Sequence, residues 1–190
     1  MTSEQFRQNL RQGQIGESLI ANWMRARGRA VMPAYEKQID TGKGPQFFAP
    51  DGAYVAPDMF VFRLVDSATG SPFVWVEAKH KTAFTWHRVS RHWTTGIDRR
   101  HYHDYLRVEA LSKVPVWLMF YHSSPHPSQN DIDHGCPSYC PTGLFGNRLA
   151  YLSQHVSHES DRWGRSGMVY WAAEHLKLMA TMDDLRGLSS

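Results

Sequence analysis

The chain is poor in cysteine, in long apolar runs and in charge of one sign. Two cysteines in 190 residues leave no room for a disulfide framework. The longest apolar run, Val114 to Tyr121, is far too short to span a bilayer. The first dozen residues are polar and charged and hold no apolar stretch of the secretory kind, so a cytoplasmic protein without membrane association is expected. The formal net charge is only +3 at pH 7, which as a whole-chain sum argues against a nucleic-acid partner. What is present is 42% hydrophobic and 13% aromatic residues, a composition that excludes a disordered, collagenous or coiled-coil chain. A chain this long can bury about 70% of its unfolded surface around one core, so a single domain over residues 1–190 is expected.

Apolar residues Phe6, Leu10, Ile15, Leu19, Ile20, Trp23 and Met24 recur at helical spacing, with Gly28 as a stop, and predict a helix over residues 3–27. Gly13 and Gly16 each cost about 1 kcal/mol in a helix, so a break near residue 12 is allowed for. Strands are expected over residues 29–36, 58–65 and 72–79, with a loop or irregular hairpin over 41–57 and a polar turn over 66–71. A helix over 94–113 and a buried strand over 114–121 follow, then a long Pro/Gly/Ser/His loop over 122–147. Further strands are expected over 148–156 and 168–171. A helix over 172–179 and a turn capped by Thr181, with Asp183 and Asp184 at its positive end, complete the chain. This order describes a mixed sheet flanked by helices, of the α/β or α+β class.

Alternate residues of a strand share a face, so Glu77 and Lys79 point the same way, and the predicted hairpin brings Asp58 beside them. Two carboxylates and an ammonium at the end of an apolar sheet suit phosphodiester hydrolysis. Carboxylate oxygens hold a hard divalent cation, which activates water and offsets phosphate charge. Lys79 could orient the water, help deprotonate it or stabilise the transition state, and the Ala78 carbonyl is a further oxygen ligand. The plain rival is a surface salt bridge at a strand end.

The pattern Pro57-Asp58 followed by Glu77-x-Lys79 resembles the PD-(D/E)xK nuclease superfamily, which includes restriction enzymes, Holliday-junction resolvases and phage or repair nucleases. Gly13-x-x-x-Glu17, continuing through Trp23 to Gly28 and then a strand, looks like the opening of the archaeal-resolvase-like branch. The resemblance covers about residues 13–121 and implies a restriction-endonuclease-like core of helix, three strands, helix and strand. It implies Mg²⁺ or Mn²⁺ on Asp58 and Glu77, Lys79 as the catalytic lysine, and Glu17 as an auxiliary ligand or water-orienting carboxylate. It also implies cleavage leaving a 5′-phosphate, with DNA expected as the substrate and RNA left open, and a homodimer is common among small members. Many relatives carry a Gln on the helix after the E-x-K strand, whereas this helix offers Asp98, Arg99, Arg100, His101 and His103.

Divided along the chain, the small net charge separates. Residues 1–78 hold 8 basic against 8 acidic side chains, residues 79–113 hold 8 against 3, and residues 114–190 hold 5 against 7. The basic excess leaves the carboxylate site directly, making Lys81, Arg88, Arg91, Arg99 and Arg100 candidate phosphate clamps. Trp86 and Trp93, interleaved with them, either stack on unpaired bases or pack in the core. In the long loop, His134, Cys136 and Cys140, with His122 or His126, could supply four ligands to a structural Zn²⁺; two free thiols are the other reading. A non-catalytic, nuclease-like nucleic-acid-binding protein, zinc-clipped or not, is the alternative function.

Overall fold

The computed structural model describes residues 3–34, 45–63, 72–164 and 166–188. Helix α1 runs unbroken over Ser3–Ala26, and Gly28, at φ +69°, ends it. Strands β1 (Arg29–Pro33), β4 (Met59–Arg63) and β5 (Phe73–Lys81) form an antiparallel meander. Between β1 and β4 lies a small hairpin, β2 (Gln46–Ala49) and β3 (Gly52–Val55), inside the stretch expected to be a loop or hairpin. The expected turn over 66–71 and the ends of two expected strands, residues 35–36 and 64–65, lie outside the described residues.

After β5 come β6 (Thr85–His87), β7 (His92–Asp98) and helix α2 (Arg99–Ser112). The expectation of a helix from residue 94 is corrected here. Thr94, Thr95 and Ile97 are β-branched and buried, and they pair with β11 (Met168–Ala172) instead, Thr94 also with Thr85 of β6. The helix starts at Arg99 because the Asp98 carboxylate caps it, accepting from the Arg100 amide at 3.0 Å. Strand β8 (Val116–His122) then returns parallel to β5, with α2 as the crossover.

The long loop holds a single helical turn, α3 (Gln129–Asp133), capped by Ser128, and it ends earlier than expected. Strand β9 (Gly143–Arg148) lies antiparallel to β8, and helix α4 (Leu149–Leu152) occupies part of the stretch expected to be a strand over 148–156. Gly143 and Gly146 read as loop punctuation, yet both lie in a buried strand: a Cβ on Gly146 would stand 2.9 Å from the Leu118 carbonyl. The expected helix over 172–179 is also corrected. A 3-10 turn at Ala173–His175 leads into β12 (Lys177–Ala180), whose pairing with β9 overrides the local helical pattern. Helix α5 (Met182–Arg186) does start at Thr181, with a capping box to Asp184.

The result is a mixed α/β protein. A six-stranded sheet in the order β1-β4-β5-β8-β9-β12 has one parallel pair, β5 with β8. A four-stranded antiparallel sheet, β10-β11-β7-β6 with β10 at His158–Ser160, stands beside it. One face of the large sheet packs Val76, Ala78 and Met119 under Ile20 and Trp23 of α1. The other packs Trp75, Leu118 and Phe120 under Tyr105 and Val108 of α2. Among the described residues no helix is long and apolar enough to cross a membrane.

Candidate metal and phosphate site

Three elements meet at the C-terminal end of β5. The β4–β5 ladder stops at the pair Met59–Val76, and the next residue outward on the β4 side is Asp58. Its backbone carbonyl accepts from the Ala34 amide at 2.9 Å, and its Oδ2 accepts from the Ala78 amide at 3.0 Å. The Asp58 side chain thus takes the place of a missing strand partner. Because the amide and carbonyl of one strand residue point to the same edge, the Ala78 carbonyl also faces the Asp58 side.

Glu77 and Lys79 stand on the α2 face. Glu77 is only 1% exposed and neither of its oxygens has a hydrogen bond of good geometry, although the Lys79 ammonium lies against Oε1. Burial first, and then the neighbouring Asp58 charge, raise the Glu77 pKa to about 7, against opposing contributions from Lys79 and the Tyr105 hydroxyl. Desolvation works against a charged Lys79, but Glu77, Asp58 and Glu17 outweigh it and hold its pKa above the ordinary lysine value.

Glu17 reaches this neighbourhood because α1 lies close upon β5. Gly16 packs against His80, and the His80 ring bridges the Gln12 carbonyl at 3.0 Å and the Ser123 hydroxyl at 3.1 Å. Glu17 acts on Lys79, but it does not join Asp58 and Glu77 in one ligand set. Among the described residues no three His, Cys, Asp or Glu side chains form a ready-made cage.

The residues present nevertheless fit a small hard cation. Burial and the like charge of Asp58 destabilise a charged Glu77, whose oxygens lack hydrogen bonds of good geometry, and a divalent cation shared by the two carboxylates would offset that cost. Mg²⁺ characteristically takes one or two carboxylates and completes its shell with water and phosphate oxygens. Asp58, Glu77 and the Ala78 carbonyl would hold such an ion.

One residue of the site was missed in sequence: Tyr105 on α2 meets Glu77. His101, one turn earlier and among the residues that α2 offers where many relatives carry a Gln, has its pKa lowered by burial and then by the Lys79 charge. Their helical spacing of four is visible in sequence, but nothing there says which strand α2 covers.

The basic residues divide. Lys81 is half-buried, and burial together with Lys79 lowers its pKa to about 8. Arg88 and Arg91 are exposed, and Arg100 is exposed with Asp104 at 3.8 Å. Arg99 departs from the expected role. Its guanidinium is held by Asp161 at 2.6 Å, Glu159 at 3.3 Å and the Ser166 carbonyl at 3.1 Å, which ties these three residues to α2 and leaves no free fork for a phosphate. Trp93 is buried, as in the core reading, and Trp86 packs on it edge to face at 5.0 Å while remaining half-exposed.

The expected zinc ligands are not brought together. His122 is buried and stacked on Phe84 at 3.6 Å, and the Cys140 thiol accepts from the Phe84 amide at 3.3 Å. His134 and His126 are exposed, and Cys136 is half-buried. Burial raises the pKa of both thiols, to about 11 at Cys140, which disfavours the thiolate a zinc ion needs.

Comparison of the chain with protein-family models, with curated proteins and with solved structures finds no match in any of the three.

Proposed function

We propose that this protein is a metal-dependent nuclease of the PD-(D/E)xK type that hydrolyses phosphodiester bonds of DNA. One observation carries the reading: a buried Glu77 without good hydrogen bonds beside Asp58, with Lys79 two residues on, at the edge where the β4–β5 ladder ends. The element order supports it independently, since helix, three-strand meander, crossover helix and parallel strand is the core that the motif's resemblance implies.

Asp58, Glu77 and the Ala78 carbonyl would hold Mg²⁺ or Mn²⁺, and the ion would supply an activated water and offset the charge of the phosphate. Lys79 leaves Glu77 and donates to a non-bridging oxygen, stabilising the charge that develops as water adds to phosphorus. The Glu17 charge, with those of Glu77 and Asp58, favours the protonated Lys79. The attacking water forms the new P–O bond without a covalent intermediate and gives a proton to solvent, the P–O3′ bond breaks, and the leaving 3′-oxygen takes a proton from solvent, which leaves a 5′-phosphate.

The test is cleavage of supercoiled, linear, branched and single-stranded DNA with Mg²⁺ or Mn²⁺ by wild type, Asp58→Ala and Lys79→Ala. Cleavage by wild type that drops at least 100-fold in both variants is expected; no cleavage, or equal cleavage by all three, overturns the reading. The alternative, a binding protein that keeps the fold, is favoured by one feature: the Lys79 ammonium already pairs with the Glu77 carboxylate. Calorimetric titration separates the two, because Mn²⁺ binding that disappears in Glu77→Ala belongs only to the enzyme.

A further inference from the structure

A second site opens where β5 runs on past the carboxylates. Residues 82–86 follow Lys79, His80 and Lys81 directly and form one wall of a cleft of about 1160 Å³, whose other walls come from residues 126–131 and 158–163. The volume exceeds the ~300–1,000 Å³ of ordinary small-molecule pockets, so the cleft suits an extended ligand.

Its surface is a set of flat rings. His87 stacks on His158 at 3.9 Å and 12°, and His158 stacks on Tyr170 at 4.5 Å and 5°, giving a column of three near-parallel planes. Serine hydroxyls fix the rings: Ser90 bonds His87 and lies 3.1 Å from His92, while Ser157 lies 3.1 Å from His92 and 3.2 Å from His158. Burial lowers the pKa of both His87 and His158, to about 4 in the latter, so the column is uncharged near neutral pH. Trp86 lines the same cleft over buried Trp93, and Trp163 at the rim is 66% exposed, a large ring left in water.

The charges around the rings fit a polyanion. Arg88 and Arg162 are exposed on the lining. The acids there are already engaged: Asp131 is buried, accepting from the Trp86 amide at 3.2 Å and the Ser128 hydroxyl at 2.7 Å, and Glu159 is held by Arg99. Next to Arg162 and Trp163, Asp161 is held by Arg99, and Ser166 is held by Asp98.

We propose that this cleft binds unpaired nucleotides, with bases stacked on the Trp163, Trp86 and His87–His158–Tyr170 rings and phosphates on Arg88 and Arg162. Stacking on aromatic rings with basic residues along the backbone is how single strands are held without sequence preference. A duplex keeps its bases stacked on one another and cannot offer them to the rings. The inference deepens the nuclease reading and rests on it for one point: the strand entering the β5 site has an unpaired segment alongside.

The experiment reads binding without cleavage. Fluorescence anisotropy in EDTA compares labelled dT12, rU12 and a 12-base-pair duplex on wild type, Trp163→Ala and Arg162→Ala. Wild type is expected to bind a single strand at least 10-fold more tightly than the duplex. Trp163→Ala and Arg162→Ala each lose about 5-fold or more on the single strand alone. Preference for dT12 or for rU12 assigns the sugar. Equal affinity for single strand and duplex, or unchanged binding in both the Trp163 and Arg162 variants, overturns the proposal. Both side chains are exposed, so circular dichroism is expected to show folded variants. Single-strand binding without cleavage under any metal removes the nuclease reading and leaves this one; duplex cleavage without single-strand binding does the reverse.

Discussion

Gly16 on α1 lies so close to His80 on β5 that a Cβ at position 16 would stand 2.8 Å from the His80 Cβ and 3.2 Å from its amide nitrogen. The neighbour is partly backbone in a paired strand, which cannot give way. Gly16→Ala should therefore push α1 off the sheet and cost about 1–3 kcal/mol, despite the better helix propensity of alanine. Gly13→Ala is the control. Its Cβ would meet only the Glu17 Oε1 at an ordinary 3.9 Å, so a gain of about 0.5–1 kcal/mol is expected. Urea denaturation measures both, and a Gly16→Ala protein as stable as Gly13→Ala would remove the packing argument and with it the account of how Glu17 is placed.

Metal binding should be steeply dependent on pH near neutrality. Burial and Asp58 raise the Glu77 pKa to about 7, so below that pH a cation must displace a proton. Mn²⁺ affinity should rise about tenfold per pH unit up to about 7 and level off above it. For the metal-free protein the sign is opposite. The folded state holds a proton that the unfolded chain releases near 4.5, so stability contributed by this group falls as pH rises from 4.5 to about 7. Calorimetry between pH 5.5 and 8 checks the first statement; an affinity that does not change with pH contradicts it.

The parts of the site legible in sequence were those set by strand alternation and local turns. Glu77 and Lys79 share a face by their spacing of two, and a short β-rich hairpin is enough to bring Asp58 alongside. What was hidden depends on partners far away in the chain. Thr94–Asp98 carries β-branched residues but adjoins a periodic helix, and only its pairing with Met168–Ala172 decides for strand. Arg99 looks like a phosphate clamp until the loop bearing Glu159 and Asp161, some sixty residues later, folds back upon it. Lys177–Ala180 is short and near a helical pattern, and β9 alone makes it a strand. The His87–His158–Tyr170 column likewise joins two distant segments, so composition shows the rings and not the stack.

Tyr105→Phe probes the α2 side of the site with little change of volume. The Tyr105 hydroxyl opposes the rise in the Glu77 pKa, so its loss should move that pKa further up. The midpoint of the Mn²⁺ affinity profile is expected to shift to higher pH, with cleavage reduced at pH 7 and recovered by pH 8.5. A uniform loss of cleavage at every pH would instead mean that Tyr105 acts on packing alone.

His122 should make the protein sensitive to acid. It is fully buried, stacked on Phe84, and neither ring nitrogen has a hydrogen bond of good geometry. Burial, with the Lys81 charge, lowers its pKa to about 3, against a smaller opposing contribution from the Ala83 backbone. Above the unfolded value of 6.5 both states are neutral and the group contributes nothing to pH dependence. As pH falls from 6.5 toward 3 the unfolded chain takes up a proton that the folded state refuses, and stability drops, by as much as several kcal/mol over the full interval. His122→Phe keeps a flat ring against Phe84 and removes the titrating group. Its stability at pH 7.5 is expected within about 1.5 kcal/mol of wild type, and its loss on going to pH 4.5 should be clearly smaller. Tryptophan-monitored urea unfolding at pH 7.5, 6.0 and 4.5 measures this; parallel losses in the two proteins would place the acid-sensitive group elsewhere.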